Sequence, residues 1–166
     1  MEYKKPSLTV DMFIMNKNQL SEEDIVDIVD IGNIGDIDDK NILNIEDIEF
    51  ILIKRKNNPY KDHWALPGGF VDYGETTESA AIRESKEETS IDVDLIKLFN
   101  VYSEPDRDPR GHTVTVAYLA KGDLNQMKAD DDAKEIEIFS FKDLDSIDLA
   151  FDHKDILNDI KNYLSS

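Results

Sequence analysis

The sequence contains no cysteine. That excludes disulfides, a thiolate nucleophile and any cysteine-ligated zinc site, and it leaves the redox compartment open. Long apolar runs are missing too. Lys4 and Lys5 precede no uninterrupted apolar segment, because Pro6 and Asp11 intervene, and no later run approaches the ~20 apolar residues of a membrane span. A cytoplasmic protein is the expectation. Positive charge is scarce as well: 19 Lys and Arg stand against 37 Asp and Glu, a net of −18. This argues against nucleic acid or an anionic membrane as the main partner, since both are bound through basic patches. A phosphorylated small molecule is not excluded, because metal ions can supply the local positive charge. At 166 residues the chain is long enough for one domain with a proper core and too short for two.

What the sequence does have is the stretch from Gly69 to Ile91, GFVDYGETTESAAIRESKEETSI. Read as a helix from Thr77, it places Glu84, Glu87 and Glu88 at i, i+3 and i+4, so their side chains project from one face. Like charges this close are tolerated when solvent screens them or when a divalent cation sits between them. Hard cations such as Mg²⁺ prefer oxygen ligands of this kind. Just upstream, Leu66-Pro67-Gly68-Gly69 lets bare backbone bend and approach a metal or a phosphate closely.

Gly69, Glu75, Arg83, Glu84, Glu87 and Glu88 stand in the spacing G-x5-E-x7-R-E-x-x-E-E, which resembles the Nudix box of the Nudix hydrolases. The resemblance implies an α/β fold, an α/β/α sandwich over a mixed β-sheet. It places Mg²⁺ or Mn²⁺ on Glu84, Glu87 and Glu88 and on the Gly68 carbonyl, with Arg83 and Glu75 orienting the helix carboxylates through an ion pair. It further implies hydrolysis of a nucleoside diphosphate linked to another moiety, the metal polarising phosphoryl oxygens and activating water. Two positions depart from the family's pattern: its glycine near the end of the box is Ser90 here, and its aliphatic after Arg-Glu is Ser85.

Around the box, SLTVDMFIM (Ser7 to Met15) alternates as a half-buried strand with Leu8, Val10, Met12 and Ile14 on one side. Phe50 to Arg55 reads as a more buried strand, closed by Asn57, Asn58 and Pro59. Between them Asn16 to Glu49 carries eleven acidic and two basic residues, a net of −9. It reads as an acidic insertion within a single domain spanning residues 1–166. Ile25, Ile28, Ile31, Ile34 and Ile37 recur every three residues, which fits neither a helix nor a strand, and Gly32 and Gly35 further weaken a helix. After the box, Asp92 to Ser103, Thr113 to Ala120 and Glu135 to Phe141 read as strands. Asp152 is placed to cap a terminal helix with an apolar stripe of Ile156, Leu157, Ile160, Tyr163 and Leu164. His153 is left outside the mechanism.

Candidate substrate ligands are Arg107 and Arg110, on a loop stiffened by Pro105 and Pro109, and Phe70. By resemblance, Glu135 is an additional metal-binding or base-forming carboxylate. The segment YSEPDRDPRGHTVTVAYLA is similar to that of the ADP-ribose pyrophosphatases, which implies cleavage of ADP-ribose to AMP and ribose 5-phosphate by a homodimer. Alternatives on the same box are nucleoside triphosphates, including oxidised ones, and dinucleotides. A different class is a non-hydrolytic nucleotide sensor; the family's sensors carry a DNA-binding module, which this acidic chain does not show.

Overall fold

Strand β1 (Ser7–Asn16) organises the fold in the computed structural model, which describes residues 3–30, 43–128 and 133–166. It pairs in parallel along its whole length with β6 (Thr113–Gly122) and antiparallel with two strands on its other edge. Those two share that edge: β4 (Gly68–Phe70) takes the first half of β1 and β2 (Glu49–Arg55) meets it only at Met15. β3 (Trp64–Ala65) and β7 (Ala133–Ser140) pair with β2, and β5 (Val93–Tyr102) closes the far edge against β6. One parallel pair among antiparallel ones makes the expected mixed sheet.

Helices cover both faces. On one face Val10, Met12 and Ile14 of β1 pack with Ala80 and Ala81 of α2 (Thr77–Thr89); the two alanines let the helix lie close to the sheet. On the other, Phe13 and Met15 pack with Ile156, Leu157, Ile160 and Leu164 of α3 (His153–Leu164). Rings of Phe13, Phe50 and Phe141 meet there at centroid distances of 4.9–5.5 Å. β1 is therefore buried on both faces rather than one, because α3 covers the side that the alternation left to solvent. The stripe predicted for the terminal helix is core. Among the described residues no helix is long and apolar enough to cross a membrane.

The segment between β1 and β2 contains a helix that its three-residue spacing did not predict. α1 (Glu22–Asp30) starts at a reciprocal cap: the Ser21 hydroxyl accepts from Asp24 N–H and the Asp24 carboxylate accepts from Ser21 N–H. Ile28 is buried in the α3-side core, and Tyr163 Oη donates to its carbonyl at 2.8 Å. Ile31, Ile34, Ile37, Gly32 and Gly35 lie outside the described residues.

Both serine departures in the box sit where a serine is unfavourable. Ser90 ends α2 with φ 63° and ψ 6°, a left-handed conformation that costs a residue with a Cβ on the order of 1 kcal/mol. Ser90→Gly is expected to raise stability by about 0.5–1 kcal/mol, the remainder being offset by the greater unfolded-state freedom of glycine. Ser85 is 0 % exposed and its Oγ, alone among buried side-chain polar atoms of the described residues, has no hydrogen-bond partner. Ser85→Ala is expected to stabilise by about 1 kcal/mol, by removing an unpaired buried hydroxyl. Urea midpoints check both; a lower midpoint for either variant counts against its assignment.

Candidate active site

A cavity of about 340 Å³ opens where β4, the second half of α2, the β5–β6 loop and the start of α3 come together. Its first wall is built by the box. Thr76 caps α2, its hydroxyl accepting from Ser79 N–H at 3.1 Å, and the helix then carries Arg83, Glu84, Glu87 and Glu88. The Arg83 guanidinium is a hub. It donates to both carboxylate oxygens of Glu75 at 2.8 and 2.9 Å, to Glu84 at 2.8 Å, to Glu87 at 3.2 Å and to the Phe70 carbonyl at 3.0 Å. Its hydrogen bonds, together with one from Asp72 N–H, hold the Glu75 carboxyl down to about 2. That pair stays ionised across the neutral range and fixes the helix against β4.

Glu88 faces inward and accepts from Gly68 N–H at 2.9 Å. Burial pushes its carboxyl well above the usual range; the Gly68 bond pulls it back, and the charges of Glu84 and Asp11 push it up again. Glu84 is raised by burial against the pull of Arg83. The two glycines are there for close approach: a Cβ on Gly69 would overlap the Glu84 carboxylate, and one on Gly68 would overlap the Val10 carbonyl.

The second wall comes from elements remote in sequence. Asp11, at the β1 position paired with Gly68, accepts from Thr115 Oγ1 at 2.6 Å. His153 Nδ1 accepts from Leu66 N–H at 3.0 Å, which leaves Nε2 facing Asp11 Oδ1 at 3.5 Å. A ring nitrogen that accepts an N–H carries no proton, so this bond calls for the neutral imidazole, and burial lowers the His153 pKa in the same direction. Arg107 donates to both oxygens of Asp152 at 2.8 and 2.6 Å, and Arg110 makes a similar fork on Asp108 at 2.8–3.2 Å. Arg55 and the ring of Phe151 complete this wall.

Residues 41–160 match the NUDIX domain. The chain belongs to the NUDIX family. It is 50 % identical over 111 residues to the ADP-ribose pyrophosphatase of Methanocaldococcus jannaschii, covering 67 % of this chain and 64 % of that protein. It is 31 % identical over 159 residues to the ADPR responsive transcriptional repressor NtrR of Acinetobacter baylyi, covering 94 % of this chain and 53 % of the repressor. The chain thus spans less than two thirds of either relative's length. Among solved structures, a MutT/nudix family protein from Enterococcus faecalis superposes with a TM-score of 0.69 at 33 % identity, over 97 % of this chain and 62 % of that one.

Of the residues expected at the NUDIX site, Gly68, Phe70, Glu84, Glu88, Arg107 and Arg110 line the cavity. Arg83 and Glu75 lie outside this lining as the clamp on the box helix, and Glu87, with its side chain 57 % exposed, lies outside it on Arg83. Glu135 is not brought in: on β7 it pairs in register with Lys54 of β2, its carboxylate 3.5 Å from the Lys54 ammonium. Arg107, expected to present its charge to substrate, has a side chain only 5 % exposed and gives its donors to Asp152. Asp152 in turn makes no capping bond to α3, because its carboxylate is taken. The sequence did not single out Arg55, Asp108 or Phe151, and it gave Asp11 and His153 no place in the site. A signal existed only for Asp11, a lone charge inside the apolar strand SLTVDMFIM.

The donor chemistry of this NUDIX site suits a hard divalent cation: buried or half-buried carboxylate oxygens, an excess of negative charge and no sulfur. Among the described residues, no three acidic or histidine side chains converge as a ready-made ligand set. Arg83 lies between Glu84 and Glu87 and occupies part of the carboxylates' bonding capacity.

Proposed function

We propose that this cavity hydrolyses ADP-ribose to AMP and ribose 5-phosphate with Mg²⁺ or Mn²⁺ bound at Glu84, Glu88 and the Gly68 carbonyl, and with Glu87 as a further ligand. The observation that carries the proposal is the half-buried Glu84–Glu88 pair facing a cleft whose opposite wall carries guanidinium groups. A bound divalent cation supplies Lewis-acid polarisation of the phosphoryl oxygens and a water of lowered pKa. The chain's own residues do the rest. Arg83 and Glu75 hold α2 so that Glu84 and Glu88 keep their places, and the Gly68 N–H fixes one Glu88 oxygen. Phe70 offers an aromatic surface to the nucleotide, with the Arg110 guanidinium 5.7 Å from its ring centroid and forked onto Asp108. Water adds to one phosphorus, and the bond from that phosphorus to the bridging oxygen breaks.

The relative of 50 % identity supports ADP-ribose over the other substrates the box can serve. The repressor relative supports a second reading, in which the same ligand is bound without turnover. Product analysis separates them. Incubated with Mg²⁺ or Mn²⁺, the protein is expected to convert ADP-ribose with a kcat/KM at least ~10-fold above that for nucleoside triphosphates, NADH or diadenosine polyphosphates, a gap of about 1.4 kcal/mol. A higher value for a triphosphate overturns the substrate, and tight binding with no products favours the sensor. The acidic 16–49 segment is read as an insertion in a single domain, and the assembly as a homodimer; light scattering at micromolar concentration tests the latter.

A further inference from the structure

We propose that His153 is a positioning residue of the site: its imidazole ties the turn Leu66-Pro67-Gly68 to α3, and so sets where the Gly68 carbonyl and the Gly68 N–H stand relative to the metal and to Glu88. The proposal rests on the metal-dependent reading above and adds a supporting side chain to it.

The turn lies where the chain changes strand partner. Trp64 and Ala65 of β3 pair with β2, whereas Gly68, Gly69 and Phe70 of β4 pair with β1. Leu66 and Pro67 make the step between them and belong to neither ladder. Proline has no N–H to satisfy. Leu66 has one, the residue is only 2 % exposed, and a buried N–H without an acceptor is destabilising. The polar groups of the turn go to different elements. Leu66 N–H is taken by His153 Nδ1 of α3 at 3.0 Å, from 87 residues away. The Pro67 carbonyl accepts from Met12 N–H of β1 at 2.8 Å, and Gly68 N–H donates to Glu88 of α2 at 2.9 Å.

The imidazole is fixed at both nitrogens. Because Nδ1 accepts, the ring proton sits on Nε2, which faces Asp11 Oδ1 at 3.5 Å. Asp11 is held by Thr115 Oγ1 at 2.6 Å and is the β1 residue in register with Gly68. Its Oδ1 lies 2.6 Å from where a Cβ on Gly68 would be. One buried ring thus reaches from the start of the turn to the carboxylate packed against its end. The base of that ring is firm. Ile156, Leu157 and Ile160 anchor α3 in the core, and Ala150 N–H donates to the Trp64 carbonyl at 2.8 Å just before the helix. A side chain that orients the backbone beside a ligating carbonyl tunes a metal site without touching the ion.

The test compares His153→Asn, whose Oδ1 takes the place of Nδ1, with His153→Phe, which keeps a ring and has no acceptor. Mn²⁺ binding to the nucleotide-free protein is read by calorimetry, and ADP-ribose turnover by steady-state kinetics. His153→Phe is expected to weaken Mn²⁺ binding and to lower kcat by roughly 10-fold each, with KM within about threefold, whereas His153→Asn recovers most of both. If the phenylalanine variant does not fold, His153→Gln replaces it, its amide oxygen being one bond too far out for Leu66 N–H. Should wild type bind no Mn²⁺, the metal reading fails by itself, and amide exchange followed by NMR decides the positioning role. The Leu66 and Gly68 amides are then expected to exchange faster in His153→Phe than in His153→Asn. The proposal is overturned if His153→Phe loses only melting temperature while Mn²⁺ affinity and kcat stay within twofold of wild type, if His153→Asn restores nothing, or if both amides exchange alike in the two variants.

Discussion

Glu88→Gln is expected to lower turnover at least ~100-fold, about 2.7 kcal/mol of transition-state stabilisation, while leaving the fold intact or more stable. The two effects have one cause. Glu88 is a buried carboxylate beside Glu84 and Asp11, and its ionised form is disfavoured by burial first and by those neighbours as well. A glutamine keeps the shape, still accepts from Gly68 N–H through its amide oxygen and removes a buried charge, so the folded state loses little. The site loses an anionic oxygen ligand and with it much of its capacity to stabilise charge on the reacting phosphoryl group. Glu84→Gln is expected to act in the same direction, and chelation by EDTA to abolish turnover in wild type. Steady-state kinetics with thermal melts reads this directly; wild-type turnover in both glutamine variants would falsify the assignment of these carboxylates.

Gly69→Ala is expected to reduce kcat at least ~30-fold with only a small change in melting temperature. A Cβ at this position overlaps the carboxylate of Glu84 and no backbone atom among its nearest contacts. The obstacle is the end of a flexible side chain, so relief comes by rotating Glu84 away from Arg83 and from the cavity, not by moving β4. Displacing a catalytic group by about 1 Å costs on the order of 10²-fold in rate. Gly68→Ala serves as the contrast. Its Cβ overlaps the backbone carbonyl of Val10, so β4 must separate from β1 and stability falls together with activity. Equal kcat in Gly69→Ala and wild type would show that Glu84 does not act from the position seen here.

Much of the box was legible before the fold was known. Glu84, Glu87 and Glu88 share a helix face because three- and four-residue spacings do so in any α-helix, and the Arg83–Glu75 pair was implied by the family spacing. Other parts were not legible. The isoleucine spacing of the acidic segment concealed α1, whose start is set by the Ser21–Asp24 cap and whose place is set by Ile28 docking under Tyr163. Glu135 matched the family position approximately, yet strand pairing puts it opposite Lys54. Arg107 was read as a free phosphate ligand because its partner, Asp152, lies 45 residues away and was read as a helix cap.

The sequence by itself determined the family, the carboxylate face of α2, the glycine approach at β4 and the apolar faces that make a mixed sheet between helices. These follow from short-range backbone geometry, in which a residue's neighbours at i+2, i+3 or i+4 are set once the local conformation is set. Tertiary structure decided which charges the cavity keeps. The parallel pairing of β1 with β6 brings Thr115 to Asp11, α3 brings His153 to Leu66, and the β5–β6 loop folds Arg107 onto Asp152 and Arg110 onto Asp108. Whether an arginine is neutralised or left to bind a ligand depends on contacts closed by strand register and packing over long stretches of chain. The spacing of residues along the sequence carries no record of those contacts.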